Sequence, residues 1–305
     1  MTARKRVSLR DECETLRAEA SARLFREAAG GGVPPEPGCS PNAITTAEAY
    51  SAIAEAGLSD SFAGQMRNAV AFMVRCQHPD GHWDDGSRDS WDTSSTAWVL
   101  WALRRQSDDT VSQAYRRGLA WLKSQKLTSG GMPTSPREST ANTYATSYAL
   151  RVLRNAACDE AASCSQFLLA SQNPDGGWGL YRGDKSEATL TAYVLHGLID
   201  AREPSLAESI ARGCSWLLLD QDSSGSWGSW FGEADSSEGT AFALYVLCRA
   251  AQCTEEVRFA SVAYLANRLQ EGSLWQVAEV ERLWVAASVL LAASACLGGP
   301  QGATR

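Results

Sequence analysis

The chain has 305 residues, of which 44% are hydrophobic, and a formal net charge of −7. A chain of this size can bury a large core, and its acidic balance, without a cluster of Lys and Arg, excludes a general nucleic-acid surface. The first ten residues are basic but lack an apolar segment, so we expect no signal peptide. Nine cysteines without a Cys-x-x-Cys pair indicate reduced packing residues, and we therefore expect a cytoplasmic protein.

Two helices are predicted before the main pattern of the chain begins. Residues 9–28 form a charged amphipathic helix that ends at a run of three glycines, and a shorter apolar helix is expected over 46–58. The long apolar run over 283–299 is too short to cross a membrane comfortably, so a buried helix is expected there. Peripheral contact with a membrane surface stays open.

A turn of the pattern Gln-x-x-x-Gly-x-Trp occurs three times and precedes a helix-like run that begins with Thr and an apolar residue. The three copies begin at Gln77, Gln172 and Gln221. A repeat of about 45 residues suits two helices and two connections. The helix starts are Thr46, Thr96, Thr146, Thr191 and Thr240, with Leu283 as a degenerate sixth. We expect the tryptophans of these turns, Trp83, Trp178, Trp227 and Trp275, to pack against the turns rather than contact a ligand.

The repeats predict an all-α fold, a single (α/α)6 barrel or toroid in which six apolar inner helices are each backed by an amphipathic outer helix. The whole chain, 1–305, is expected to be one domain. An open superhelix is disfavoured because it would end in polar repeats, whereas the last helix is the most apolar. The expected repeats are 63–110, 111–157, 158–203, 204–253 and 254–298, and the N-terminal helices within 9–58 complete the ring.

The repeated turns and Thr-Ala helix starts resemble the superfamily of squalene–hopene cyclases and protein prenyltransferase β-subunits, in particular its terpene-cyclase branch. The resemblance covers residues 63 to about 296 and implies an apolar, isoprenoid small-molecule substrate. Class II terpene cyclases carry Asp-x-Asp-Asp-Thr-Ala at the start of an inner helix, and its central Asp protonates an alkene or epoxide. Here the matching segment keeps Asp92 and the Thr-Ala, but Ser94 and Ser95 replace the central acids. A serine hydroxyl is too weak an acid for that step.

Three carboxyl groups are candidates for the missing acid, because the inner helices run parallel and their N-termini meet at one mouth of the ring. These catalytic candidates are Asp92, Glu187 and Glu238. A helix N-terminus stabilises the carboxylate and so makes such a group a stronger acid. Simple N-capping is the alternative role for Asp92.

Aromatic and basic residues near the same mouth are candidates for substrate binding. The aromatic candidates, whose rings can stabilise carbocations, are Trp91, Tyr144, Tyr193, Trp230 and Phe231. Arg182 and Lys185 resemble the Arg-x-x-Lys with which prenyltransferase β-subunits hold a diphosphate, and Arg88 and Arg137 occupy the corresponding loops of neighbouring repeats.

No metal site and no cofactor are expected, apart from Mg²⁺ if the substrate is a diphosphate. Ala188 and Leu190 stand where prenyltransferases carry two of their zinc ligands. The residues His78, Asp80 and His82, with Asp84 and Asp85, have an irregular spacing within a turn. His196 is expected to line the core or the channel.

The leading hypothesis is an isoprenoid cyclase or isomerase in which a non-standard carboxylic acid starts the reaction by protonation. The replacement of the family acids by Ser94 and Ser95 favours an alternative, a non-catalytic toroid that binds a lipid, a peptide or a partner protein. A non-terpenoid cyclase or dehydratase on the same ring is the third alternative, and the sequence leaves the oligomeric state undetermined.

Overall fold

The structure, a computed structural model, describes residues 8–87, 91–229, 232–277 and 279–298, and these contain twelve α-helices. The outer helices are α1 (Leu9–Leu24), α3 (Ala63–Arg75), α5 (Asp109–Ser124), α7 (Glu160–Ser171), α9 (Ala207–Asp220) and α11 (Glu255–Glu271). The inner helices are α2 (Ala43–Glu55), α4 (Asp92–Leu103), α6 (Thr143–Asn155), α8 (Ala188–Ala201), α10 (Ser237–Arg249) and α12 (Leu283–Cys296). A 3-10 turn (Pro204–Leu206) and a short antiparallel hairpin, β1 (Gln276–Val277) and β2 (Val280–Glu281), complete the elements.

The inner helices form a closed ring. Each packs against the next along the chain, and α12 returns to pack against α2. Outer helices α3, α5, α7, α9 and α11 each lie mainly against the inner helix that precedes them in the chain, while α1 covers α12. The predicted fold class, an all-α toroid of inner and outer helices, is thereby confirmed. Within the described chain, none of the helices combines the length and apolar character that crossing a membrane requires.

The helix boundaries differ from the sequence prediction in a regular way. The inner helices α2, α4, α6, α8 and α10 begin before the repeated threonine, and in α2, α6 and α10 an earlier Asn or Ser caps the first turn. The side chain of Asn142, for example, accepts a hydrogen bond from the main-chain N–H of Ala145, and α6 starts at Thr143 rather than at Thr146. Helix α1 ends at Leu24, short of the predicted residue 28. The hairpin was not predicted, because strands of two residues are too short to show an alternating pattern.

The repeated turn joins the two helices of one repeat and reaches the next outer helix. The indole N–H of Trp178 donates to the carbonyl of Leu168 on α7 (3.0 Å), and its main-chain N–H donates to Oγ1 of Thr191 on α8 (2.9 Å). The amide of Gln172 donates to the carbonyl of Ser209 on α9 (2.9 Å). Trp83 and Trp227 make the equivalent bonds, and all three of these rings are fully buried, whereas Trp275 is half-buried.

A glycine in the middle of an outer helix allows the tryptophan ring to approach. A Cβ atom at Gly213 of α9 would lie 2.6 Å from the ring of Trp178, and one at Gly118 of α5 would lie 2.5 Å from the ring of Trp83. Glycine in a helix interior costs about 0.5–1 kcal/mol relative to alanine. We infer that these two glycines are kept for ring packing and not for backbone conformation.

The substitution Gly213→Ala is therefore expected to destabilise the fold by about 1–3 kcal/mol, because overpacking outweighs the gain in helix propensity. Gly64→Ala on α3 is the matched control, since no atom lies within 4 Å of the added Cβ and stabilisation of up to about 1 kcal/mol is expected. Urea unfolding followed by circular dichroism measures both. Equal effects of the two substitutions would contradict the packing role.

Candidate functional site

The repeated threonine sets a common register for the inner helices, and this register identifies the side chains that face the axis of the ring, which we call the channel. Positions i, i+4, i+7 and i+11 share one face of a helix. The residue two positions before the threonine and the residues two, five and nine positions after it have this spacing. They therefore face the channel in four successive layers. Layers four residues apart are separated by about 6 Å along the axis. We number these layers one to four from the mouth, the end at which the inner helices begin.

The second layer is a nearly continuous aromatic belt with one carboxyl group in it. The five members are Glu48, Trp98, Tyr148, Tyr193 and Phe242. Ring centroids lie 4.7 Å apart for Trp98 and Tyr148, and 4.5 Å apart for Tyr193 and Phe242. Tyr144, in the first layer, stacks edge-on at 5.0 Å against both Tyr148 and Tyr193.

Glu48 is surrounded by protein yet keeps part of its surface accessible, as expected for a side chain that lines an internal channel. Burial, with a smaller contribution from the charge of Glu238, raises the pKa of Glu48 to about 8. The group is therefore mainly protonated at neutral pH.

Glu238, in the first layer on α10, is a second buried carboxyl of the channel, with only 2% of its surface exposed. The hydroxyl of Tyr193 donates a short hydrogen bond to its Oε1 atom, while Oε2 has no partner among the described residues. Burial raises the pKa of Glu238, and the Tyr193 hydroxyl and the indole of Trp284, which favour the anion, offset this only in part. The two glutamates thus form an acidic pair inside an apolar channel.

The third and fourth layers carry a buried group of charges that we call the polar floor. It consists of Glu55, Arg151, His196, Asp200, Tyr245 and Arg249. Asp200 lies 2.8 Å from Nη2 of Arg249 and 3.4 Å from Nε of Arg151. Burial alone would raise the pKa of Asp200, but His196, Arg151 and Arg249 outweigh it and hold the pKa well below its usual range. The polar floor connects α2, α6, α8 and α10.

His196 is a member of the polar floor and not a free base. Its Nε2 atom lies 3.3 Å from Asp200, and Nδ1 lies 3.4 Å from an Nη1 of Arg151. Because a guanidinium only donates, Nδ1 accepts and Nε2 carries the proton toward Asp200. Burial, reinforced by Arg151, lowers the pKa of His196 and so disfavours the charged form of the ring. Both ring nitrogens of His196 therefore face charged residues of the polar floor.

The other two predicted acids lie at the mouth. Asp92 is the first residue of α4, after the N-cap residue Trp91, and burial raises its pKa. Glu187 occupies the N-cap position of α8 without a side-chain capping bond, and burial likewise raises its pKa. Ser94, at the place of the family acid, is fully buried and its hydroxyl donates to the carbonyl of Trp91 (3.1 Å).

The structure brings some of the predicted binding residues together and separates others. Trp91 and Tyr144 meet edge-on, with ring centroids 5.7 Å apart, which joins the mouth to the aromatic belt. Arg182 and Lys185 are exposed on the loop that precedes α8. The predicted residues Trp230 and Phe231, and the basic residue Arg88, lie outside the described residues.

A family model for the prenyltransferase alpha-alpha toroid domain matches residues 43–229, more than half of the chain. The chain belongs to the prenyltransferase alpha-alpha toroid family. No curated protein matches its sequence. Residues 43–229 begin at α2, so the family match includes the helix that carries Glu48.

Solved structures share this toroid fold at low sequence identity. A variant of the type II terpene cyclase MstE from Scytonema, bound to geranylgeranyl dihydroxybenzoate, has a TM-score of 0.73 and 15% identity over 96% of this chain and 99% of that one. The ent-copalyl diphosphate synthase from Streptomyces platensis has a TM-score of 0.53 and 22% identity, over 85% of this chain and 50% of that one. A variant of an α-1,6-mannanase from a Salegentibacter species has a TM-score of 0.67 and 10% identity, over 95% of this chain and 100% of that one. At these identities the likeness shows the fold alone.

Glu48 is the site residue that the sequence reasoning missed, although the toroid repeat carries a signal for it. It stands two residues after Thr46, as Trp98, Tyr148 and Tyr193 stand after their own threonines. A carboxyl in a register position otherwise occupied by aromatic residues is the signal. Asp92, Glu187 and Glu238 all precede a threonine of the repeat, whereas Glu48 follows Thr46.

The turn before α4 contains the imidazoles of His78 and His82 and the carboxylate of Asp84, whose ligand atoms lie within 4.8 Å of one another. The two rings are stacked, with centroids 4.2 Å apart and planes inclined by 16°. A shared metal ion would have to lie in both ring planes, which nearly parallel rings do not permit. The observed ring orientation therefore does not form a metal site.

Removal of the central anion of the polar floor is expected to be costly. Asp200→Asn would leave Arg151 and Arg249 without one of their counter-charges, at about 3–5 kcal/mol of unfolding free energy. Asp60→Asn, at an exposed position, is the control and should change stability by less than about 0.5 kcal/mol. Urea unfolding at pH 7 compares them, and a loss no larger than that of the control would refute the role given to the floor.

The raised pKa of Glu48 predicts a pH dependence of stability. The unfolded chain releases this proton above a pKa of about 4.5, whereas the folded toroid holds it to about 8, so stability falls as pH rises through that window. Each unit of pKa difference corresponds to about 1.4 kcal/mol at most. Glu48→Gln should flatten this slope between about pH 5 and pH 8, and Glu256→Gln, at an exposed site on α11, should not. Unfolding free energies at a series of pH values test this, and parallel curves for all three proteins would contradict it.

Proposed function

We propose that this toroid is an isoprenoid cyclase or isomerase, acting in the cytoplasm, in which the carboxyl pair of Glu48 and Glu238 starts the reaction by protonating an alkene. The observation that carries the proposal is the pair of buried carboxyls, each with a raised pKa, next to an aromatic belt. Such a step requires a carboxyl that still holds its proton at neutral pH, which the raised pKa of Glu48 provides, and aromatic rings that stabilise the cation, because a raised pKa does not make the group a stronger acid.

The proton source is assigned by accessibility and register. Glu48 keeps accessible surface in the channel, and Glu238 is held by Tyr193 and almost fully buried. We therefore assign Glu48, which burial keeps protonated, as the group that meets the substrate, and Glu238 as the neighbouring carboxyl that adds to this effect. Glu238 also stands two residues before Thr240, the same distance that separates Ser94 from Thr96. The family's acid position is thus occupied, but in a different repeat.

The aromatic belt would stabilise the cation that protonation creates. The Glu48 proton bonds to one alkene carbon, the other carbon becomes a carbocation, and Glu48 is left as a carboxylate. Attack by a second alkene of the same chain closes a ring and moves the positive charge, and loss of a proton ends the sequence with no net change in atoms. Ring faces of Trp98, Tyr148 and Tyr193 line this space, and each such contact is worth about 0.5–2 kcal/mol.

The substrate class is proposed as a prenyl chain with an anionic head. MstE binds a geranylgeranyl dihydroxybenzoate, in which such a chain carries a benzoate head. The exposed Arg182 and Lys185 lie on the loop before α8 and would contact an anionic head at the mouth, with Trp91 beside the chain. Mg²⁺ would be needed only for a diphosphate head.

The test is turnover of geranylgeranyl dihydroxybenzoate and of geranylgeranyl diphosphate, followed by mass spectrometry of the products. Glu48→Gln and Glu238→Gln should each lower turnover by about 100-fold or more, since general acid catalysis contributes on that order. The double variant should lose little more than either single one, because the two carboxyls act as one unit. Glu138→Gln, at an exposed position, is the control with unchanged turnover.

Two outcomes would overturn this assignment. Loss of turnover in Asp92→Asn or Glu187→Gln, with Glu48→Gln fully active, would move the acid to the mouth. Tight binding of the prenyl compounds in native mass spectrometry, without any conversion by the unmodified protein, would instead favour a non-catalytic toroid, the function that buried Ser94 and Ser95 support.

A further inference from the structure

Four of the nine cysteines gather where the first and last helices meet, at the end of the ring opposite the mouth. This thiol cluster consists of Cys13 on α1, Cys248 on α10, Cys253 in the connection to α11, and Cys296 on α12. The sulfurs of Cys248 and Cys296 are 3.9 Å apart. Cys13 adjoins Cys296, and Cys253 adjoins Cys248, so that the sulfurs form a chain. All four are free thiols.

A guanidinium lies beside the thiol cluster, and one of its N–H donors has no acceptor among the described residues. Arg258, in the first part of α11, is close enough to interact electrostatically with Cys248, Cys253 and Cys296. Its Nε atom is buried and has no hydrogen-bond partner among the described residues. A buried, unpaired donor costs about 1–3 kcal/mol, and a thiolate is the acceptor that this cluster can supply.

The surroundings of Cys248 favour its thiolate. The S–H groups of Cys253 and Cys296 and the charge of Arg258 lower the pKa of Cys248 by more than burial raises it, whereas the pKa values of Cys253 and Cys296 are raised. The thiolate is the reactive form of cysteine. Cys248 and Cys296 are both half-buried, so a small oxidant can reach them.

The arrangement favours a bond between two sulfurs over a metal site. Four thiolates around one ion would have to lie within a few ångströms of one another, yet the four sulfurs form a chain. Among the described residues, the ligand atoms of His78, His82 and Asp84 lie within 4.8 Å of one another, and those of the thiol cluster do not all lie so close together. A disulfide joins two sulfurs at about 2 Å, and those of Cys248 and Cys296 already lie 3.9 Å apart.

We propose that Cys248 and Cys296 are a redox-active pair that forms a reversible disulfide between the inner helices α10 and α12. In the presence of a hydroperoxide, the Cys248 thiolate attacks one peroxide oxygen and the other leaves as hydroxide, which gives a sulfenic acid. The sulfur of Cys296 then attacks the sulfenic sulfur, its proton is released, and water leaves. Two thiols are oxidised to one disulfide while one hydrogen peroxide is reduced to two waters, and a small dithiol reverses the bond by exchange.

The unmodified protein is the first test, because it requires no variant to fold. Treatment with a slight excess of hydrogen peroxide should remove two of the nine alkylatable thiols and lower the intact mass by about 2 Da, and dithiothreitol should restore both. Peptide mapping should join the segments that contain Cys248 and Cys296. The bond closes a loop between positions 48 residues apart, so the oxidised protein should also unfold at a higher urea concentration.

Variants locate the reactive thiol. Cys248→Ser and Cys296→Ser should each abolish the mass loss, while Cys158→Ser, at a half-buried cysteine elsewhere in the ring, should preserve it. Arg258→Gln should slow the alkylation of Cys248 by iodoacetamide at about pH 6 by fivefold or more, because the thiolate loses its cation. A merely structural role for Arg258 would leave that rate unchanged.

Each contrary result overturns the proposal. Nine alkylatable thiols after oxidation, or a cross-link that joins Cys13 or Cys253 instead, would exclude the assigned pair. Zinc that co-purifies with the protein and blocks alkylation of all four thiols would show a metal site. None of these results depends on whether the channel catalyses a reaction.

Discussion

The hydrogen bond from the main-chain N–H of the turn tryptophan to Oγ1 of the following threonine is the interaction on which this structure depends. It fixes the turn to the start of the inner helix at the same point in the repeats that carry the threonine, as in the pairs of Trp83 with Thr96 and of Trp178 with Thr191. Met132 takes the place of the tryptophan in the repeat between them and still donates to Thr146. The donor is a main-chain N–H and the acceptor is the threonine hydroxyl, so the bond forms even where methionine replaces the tryptophan.

A fixed register has a chemical consequence, because it places side chains of six helices in common layers around one axis. Close to the mouth these layers hold carboxyls and aromatic rings, and at the far end they hold the polar floor. The floor satisfies the charges of Asp200, Arg151 and Arg249 among themselves, so that the far end of the channel is held by electrostatic contacts between α2, α6, α8 and α10. The acid pair, in contrast, has raised pKa values because burial removes water from both carboxyls.

The loss of the usual acids is easier to understand in terms of these layers. Ser94 is buried in the wall and bonded to the carbonyl of Trp91, so α4 supplies packing at this position and no acid. Glu238 has the corresponding place on α10, and Glu48 lies one layer deeper on α2, with α12 between these two helices. A ring of similar repeats allows a functional group to move from one repeat to another while its position along the axis changes little.

The sequence by itself determined the toroid, because a turn and a helix start that recur at a fixed period impose the same supersecondary unit each time. It also identified Tyr144, Tyr193 and Glu238, whose place in the repeat predicts a place near the mouth. Closure of the ring was decided by tertiary structure, since only the packing of α12 on α2 brings Glu48 near Glu238, a separation of 190 residues in the chain. The pKa values followed from the same closure, because a carboxyl resists ionisation only when folding has removed its water.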